Sequence, residues 1–85
     1  MAHYSISDLT TMREILEMAM KREQDSVNFY TTASERAQTE TERKMFLDLV
    51  EEEQGHRDSL HKQLEEVLAQ LEIDRAITGE DGMID

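Results

Sequence analysis

The stretch Glu51-Glu52-Glu53-Gln54-Gly55-His56 interrupts an apolar pattern that otherwise decides the fold of this chain. On both sides of it, non-polar residues recur every three or four positions, at Phe46, Leu49, Leu60, Leu64, Val67 and Leu71. That spacing predicts one face of an α-helix. The two positions that the pattern skips are Glu53 and His56, so a carboxylate and an imidazole stand where core residues are expected. Burial of such groups is costly without partners, which indicates either a misplaced polar pair or a binding site.

A similar pattern precedes this one and also has an acidic residue on its apolar face. Its non-polar positions are Leu9, Met12, Leu16, Ala19, Val27, Tyr30 and Ala37, and Glu23 occupies the gap in the series. The pattern predicts a first helix over about 9–37. The candidates for its N-cap are Ser7, Asp8 and Thr11, the last with Glu14 at capping-box spacing.

The pattern breaks at residues 37–40, where Thr39 and Glu42 again have capping-box spacing. Thr39 is therefore predicted to start a second helix over about 40–74. The two helices are joined by a connection of a few residues, which is typical of an antiparallel helical hairpin.

The remainder of the chain adds no second domain. Gly79 is a plausible C-terminal stop for the second helix, and residues 79–85 are predicted to form a flexible acidic tail. The chain contains no proline, so neither helix has a strong internal breaker. The prediction is a single all-α domain over residues 1–85.

The position of the turn relates the acidic residues of the two helices. Gln38 is the midpoint between positions 23 and 53, and it lies in the predicted turn. Residues equidistant from the turn of an antiparallel hairpin lie at the same height. We therefore expect Glu23 to face Glu53, with His56 one helical turn along.

Composition excludes several classes of function. The chain has no cysteine, which rules out disulfides, thiolate zinc sites and a cysteine nucleophile. Twenty acidic residues against nine Lys and Arg give a formal net charge of −11, and this argues against nucleic acid and anionic membranes as partners. No apolar run is long enough to span a bilayer and no signal peptide is recognisable, so we expect a soluble, cytoplasmic protein.

A hairpin of two helices cannot enclose its own apolar stripe, so two hairpins are predicted to dimerise into a four-helix bundle. Each chain then contributes Glu23 from its first helix and the Glu53-x-x-His56 pair from its second, which is the ligand pattern of ferritin-like di-iron and di-manganese proteins. Carboxylates with imidazole suit iron or manganese, with zinc as an alternative.

A structural interpretation of the same residues competes with the metal site. Charged residues make up 34% of the chain, so a Glu-x-x-His pair can arise by chance on a solvated helix face. Against this, Glu23 is expected to lie opposite Glu53, and carboxylates buried without a cation would each cost several kcal/mol. The sequence therefore favours a metal site at Glu23, Glu53 and His56.

Other residues have weaker assignments. Tyr30 is two turns from Glu23 and is either a hydrogen-bond donor to a ligand or a core residue. Glu52 is either a supporting carboxylate beside the site or part of a solvated face. His61 is predicted to be exposed, as is His3. A second apolar line, formed by Ile15, Met18 and Phe29, suggests assembly beyond a dimer.

The segments Glu23-Gln-Asp-Ser-Val-Asn-Phe-Tyr30 and Glu51-Glu-Glu-Gln-Gly-His56 resemble the rubrerythrin-type, ferritin-like di-iron domain. The resemblance covers about residues 12–72. A full ferritin-like domain has four helices in one chain, whereas this chain has two. It is therefore most similar to the encapsulated ferritins, half-ferritins whose di-iron centre forms across a dimer interface and whose dimers form larger rings.

This resemblance implies a function and partners. Glu23, Glu53 and His56 would be the metal ligands and catalytic residues, with two irons per dimer and Fe(II) oxidised by O2 in iron homeostasis or storage. A homo-oligomer is implied, and an encapsulin nanocompartment shell is a further partner and location. The tail 79–85 does not obviously match the peptide that docks such cargo.

Two other functions remain open at the level of sequence. One is a rubrerythrin-like peroxide reductase, which would need an external electron donor because the chain lacks the four cysteines of a rubredoxin-like domain. The other is not an enzyme but an acidic helical interaction module, whose thermal stability would not respond to Fe(II) or to chelators.

Overall fold

The computed structural model describes residues 4–78 and contains two long helices, α1 (Ile6–Arg36) and α2 (Glu40–Thr78). They are antiparallel, because Leu9 near the start of α1 packs against Leu71 near the end of α2. The predicted all-α hairpin is confirmed. Compared with the predicted ranges, α1 starts three residues earlier and α2 continues four residues further.

The N-terminus of α1 is capped by Ser5, and the predicted caps Ser7, Asp8 and Thr11 are wrong. Ser5 has extended backbone angles, and its Oγ accepts a hydrogen bond from the backbone N–H of Asp8 at 3.0 Å. The Ser5 N–H donates to the Asp8 carboxylate at 3.4 Å, which completes a capping box. Thr11 lies inside the helix, where its hydroxyl donates to the carbonyl of Ser7.

The N-terminus of α2 has the predicted cap. The backbone N–H of Glu42 donates to Thr39 Oγ1 at 3.1 Å, and the Thr39 carbonyl accepts from the N–H of Arg43. The Glu42 carboxylate accepts from the N–H of Gln38 at 3.1 Å, one residue before the cap. Thr39 therefore fixes the point at which the chain reverses.

The hydrophobic core is concentrated at the end of the hairpin away from the turn. Leu9, Val67 and Leu71 form a buried cluster, and Ile6, Met12 and Leu16 pack against it. Towards the turn the interface becomes thinner, with Val27 buried and Phe46 and Leu49 only half-buried. The polar residues at 23 and 53 lie in this thinner region.

The hairpin is a single layer of two helices. It measures 64 × 25 × 14 Å, and its smallest dimension is close to the diameter of one helix, about 10–12 Å. The radius of gyration is 18.6 Å, whereas a compact domain of this length has about 12 Å. Several large apolar side chains stay exposed, among them Ile15, Met18 and Phe29. Dimerisation into a four-helix bundle remains a prediction.

Within residues 4–78, neither helix is long and apolar enough to cross a membrane. The predicted stop at Gly79, the predicted acidic tail 79–85 and His3 lie outside the described residues.

Candidate metal centre

Glu23 of α1 and Glu53 of α2 meet at the same height of the hairpin, as the position of the turn predicts. With His56 they form a group whose potential ligand atoms all lie within 4.8 Å of one another. His56 Nδ1 is 3.7 Å from Glu23 Oε2 and 3.7 Å from Glu53 Oε1. The structure thus brings together all three residues predicted as ligands. That they bind metal remains a prediction.

The three side chains differ in exposure. The Glu53 and Glu23 side chains are 19% and 24% exposed, and they lie in the groove between the helices. The His56 side chain is 54% exposed, so the prediction that it takes a core position is wrong for the single chain. Arg57 takes the inward position instead, with a side chain that is 31% exposed. The spacing 53, 57, 60 and 64 fits a helical face as well as 53, 56 and 60 does.

The two carboxyl groups change each other's protonation. Hydrogen bonding with Glu23 is the main cause that raises the pKa of Glu53 above its ordinary 4.5, followed by burial and by the charges of Glu23 and Glu52. The charge of His56 acts in the opposite direction and lowers the Glu53 pKa. Two carboxylates in contact repel each other, and a proton or a cation relieves that repulsion.

The donor set fits a divalent metal ion. Glu23 Oε2 is buried and has no hydrogen-bond partner among residues 4–78, although a buried carboxylate oxygen normally has one. A divalent ion would satisfy this oxygen and the Glu53 carboxylate together. Two carboxylates and one imidazole are ligands that suit iron, manganese or zinc.

Arg57 makes a contact beside this group that the sequence patterns did not predict. Its Nη1 donates to Oε1 of Gln24 at 2.5 Å, which links α2 to α1 next to Glu23. Positions 24 and 57 are 14 and 19 residues from Gln38, so the symmetry of the hairpin about the turn does not indicate this contact. It depends on the length and conformation of the Arg57 side chain.

Tyr30 and Glu52 lie outside the ligand group. Tyr30 is half-buried and its ring makes an edge contact with Phe29, with centroids 5.4 Å apart and planes at 76°. Glu52 is exposed, and its charge raises the Glu53 pKa less than the hydrogen bond with Glu23, burial or the charge of Glu23 does. Their supporting roles remain predictions. His61 is exposed, as predicted, and lies 2.9 Å from Glu65.

The ligand group opens onto one side of the hairpin. His56, Gln63 and Gln70 are seven residues apart and therefore share a helix face. On that face, towards the end of α2, lies an open groove of about 590 Å³. Its apolar lining includes Leu9, Met12, Ile15, Leu16 and Val67. The exposed imidazole and the uncovered apolar groove thus lie on the same side of the layer.

Comparison with known protein families gives a match that covers most of the chain. The family model described as rubrerythrin matches residues 14–81, which include most of both helices and all three residues of the candidate centre. No curated protein and no solved structure matches the chain.

Proposed function

The chain belongs to the rubrerythrin family of ferritin-like di-iron proteins, and on this premise we propose that it is a ferroxidase of the half-ferritin type. Fe(II) is the substrate, held by Glu23, Glu53 and His56, and O2 is the oxidant. The activity would serve iron homeostasis or storage. The family binds iron and generally includes oxidoreductases, which supports this class of function.

The main observation behind the proposal is the contact between two inward carboxylates. Glu23 and Glu53 are mostly covered by the hairpin, and one oxygen of Glu23 has no hydrogen-bond partner among the described residues. Two such groups and an imidazole whose ligand atoms lie within 4.8 Å of one another form a donor set that suits a divalent cation. An interaction module would be more stable with apolar residues at both positions.

The number of ligands supports a site shared by two chains. The ferritin-like di-iron set needs a Glu from each of two helices and a Glu-x-x-His from each of the other two. One hairpin supplies half of this set. A second copy on the side where His56 is exposed supplies the other half and covers the apolar groove. The proposed unit is therefore a homodimer with two irons, or a higher oligomer of such dimers.

The residues of the chain have distinct tasks in this proposal. The four carboxylates of a dimer balance the charge of two Fe(II) ions, and the two imidazoles are neutral donors. Oxidation removes one electron from each Fe(II), and O2 accepts them. In this proposal Tyr30 would donate a hydrogen bond near the ligands, and the exposed Glu52 would add negative charge that attracts cations to the site.

The test is an anaerobic Fe(II) titration followed by exposure to air, with the oligomer mass measured before and after. We expect saturation near one iron per chain and a rise in near-ultraviolet absorbance as Fe(III) forms. Glu53→Ala and His56→Ala should each abolish both, because each removes one of three ligands. His61→Ala is the matched control, since His61 is an exposed histidine of the same helix that pairs with Glu65.

Two results would contradict the proposal. If Glu53→Ala or His56→Ala binds and oxidises iron like the parent, these residues are not the ligands. If the chain binds iron but reacts with hydrogen peroxide much faster than with O2, the function is peroxide reduction. In that case a separate electron donor is needed, because the chain has no cysteine to hold a rubredoxin-like iron.

A further inference from the structure

Arg57 is placed where it could compete with a metal ion, yet it points elsewhere. It follows Glu53 by four residues, and a Glu followed by a basic residue at this spacing commonly forms an ion pair along a helix. Within residues 4–78, Arg57 makes no such pair with Glu53. Its guanidinium donates to Gln24 of the opposite helix at 2.5 Å and lies 3.5 Å from the Asp58 carboxylate.

Gln24 is oriented for this contact by a further residue of α1. Its amide nitrogen donates to Oδ1 of Asn28 at 3.0 Å, so its carbonyl oxygen is the atom that faces Arg57. Gln24 is half-buried beside Glu23. The amide therefore presents an acceptor to Arg57 from the opposite helix.

We propose that Gln24 is a positioning residue that holds the Arg57 guanidinium away from Glu53 and so keeps the carboxylate pair free for a divalent cation. This inference rests on the proposed metal-binding function. Without the Gln24 acceptor, Arg57 keeps its contact with Asp58 at 3.5 Å, and its free N–H groups can turn to the Glu53 carboxylate four residues back. A guanidinium there would occupy the acceptor sites of Glu53 and repel an incoming cation.

The simpler interpretation is that Arg57 and Gln24 only clamp the two helices together. The two interpretations predict opposite effects on metal binding when Arg57 is removed from a chain that already lacks Gln24. If the pair is a clamp, loss of either residue should weaken metal binding, and loss of both should be no better. If Gln24 restrains Arg57, loss of Gln24 alone should weaken binding, and removal of Arg57 as well should restore it.

The experiment compares Mn2+ binding by the full chain, Gln24→Met, Arg57→Met and the double variant. Methionine is unbranched and forms helices well, so it removes the polar group with little effect on the fold. The free Mn2+ is measured from its six-line electron paramagnetic resonance signal, and helix content and urea unfolding are measured for each protein. Gln38→Met is the matched control, since Gln38 is an exposed glutamine in the turn whose contact with Glu42 is made by its backbone N–H.

We expect Gln24→Met to weaken Mn2+ binding about fivefold, which corresponds to a competing ion pair of ordinary strength. Arg57→Met should bind at least as tightly as the parent, and the double variant should bind within about twofold of Arg57→Met. Equal weakening in both single variants without recovery in the double variant would overturn the proposal, as would unchanged binding in Gln24→Met. If the parent itself binds no Mn2+ or Fe(II), the metal-binding function fails and this inference fails with it.

Discussion

At the scale of single residues, the contact between Glu23 and Glu53 couples protonation to stability. Hydrogen bonding with Glu23 raises the pKa of Glu53, so the folded, metal-free chain holds a proton that the unfolded chain releases near pH 4.5. A raised carboxyl pKa means that the folded state binds more protons than the unfolded state over that interval. The stability from this group is therefore present at low pH and is lost as the pH rises through the raised pKa.

Glu53→Gln should remove this pH dependence, because a neutral amide keeps the hydrogen-bonding capacity without the charge. In the presence of a chelator, we expect the parent to lose stability relative to Glu53→Gln as the pH rises above about 4.5. Urea unfolding followed by circular dichroism at several pH values measures the difference. Glu51→Gln, which removes an exposed carboxylate two residues away, should follow the parent. If the free energy of unfolding changes with pH in the same way for the parent and for Glu53→Gln, the two carboxyl groups do not interact.

The sequence was sufficient to bring Glu23 and Glu53 together, but it was not sufficient to place the residues around them. Their meeting follows from the symmetry of a hairpin about Gln38, which depends only on helix geometry. The exposure of His56 and the contact of Arg57 with Gln24 depend on side-chain conformations. An apolar pattern with a step of three or four cannot distinguish position 56 from position 57 as the inward one.

At the scale of helices, the N-terminus of each helix is capped by a side-chain hydroxyl, that of Ser5 in α1 and that of Thr39 in α2. Thr39 was predicted because Thr-x-x-Glu is the usual capping-box pattern, and the structure has this cap. Ser5 was missed because its partner at the third helical position is Asp8, whose side chain is shorter than that of the usual Glu or Gln. The predicted range also omits the first turn of α1, although Ile6 precedes Leu9 by three positions and packs against the core.

Thr39→Ala should destabilise the hairpin by about 1 kcal/mol, because it leaves the backbone N–H of Glu42 without its acceptor. The free energy of unfolding in urea measures this at a fixed chain concentration. Thr39→Ser should restore most of the loss, since the hydroxyl is retained. Thr41→Ala is the control, as Thr41 is exposed and lies within the first turn. A Thr39→Ala loss no larger than that of Thr41→Ala would mean that the cap contributes nothing to stability.

At the scale of the whole molecule, the hairpin is too thin to satisfy either its core or its candidate site. A layer 14 Å thick leaves one side of each helix uncovered, and large apolar residues such as Ile15 and Phe29 remain exposed. The candidate site is also open to solvent at His56, whereas Glu23 and Glu53 are mostly covered. We therefore expect one event, the addition of a second layer of helices, both to bury the apolar residues and to complete the proposed ligand set.

This coupling predicts that stability depends on both chain concentration and metal. The thermal midpoint should rise with chain concentration, because unfolding of a dimer releases two chains. At a free Mn2+ concentration 100 times its dissociation constant, binding should add about 2.7 kcal/mol to the free energy of unfolding for each independent site.

His56→Ala separates the effect of metal on stability from the effect of chain concentration, since it removes an exposed candidate ligand without removing apolar surface from the core. We expect that Mn2+ no longer raises the free energy of unfolding of this variant, whereas its thermal midpoint still rises with chain concentration. Thermal unfolding at several concentrations, with Mn2+ and with chelator, gives both quantities, and sedimentation velocity gives the mass. A midpoint independent of concentration, with a monomeric mass, would contradict the shared site even if the metal still stabilised the chain. Each hairpin would then have to hold its ion with Glu23, Glu53 and His56 alone.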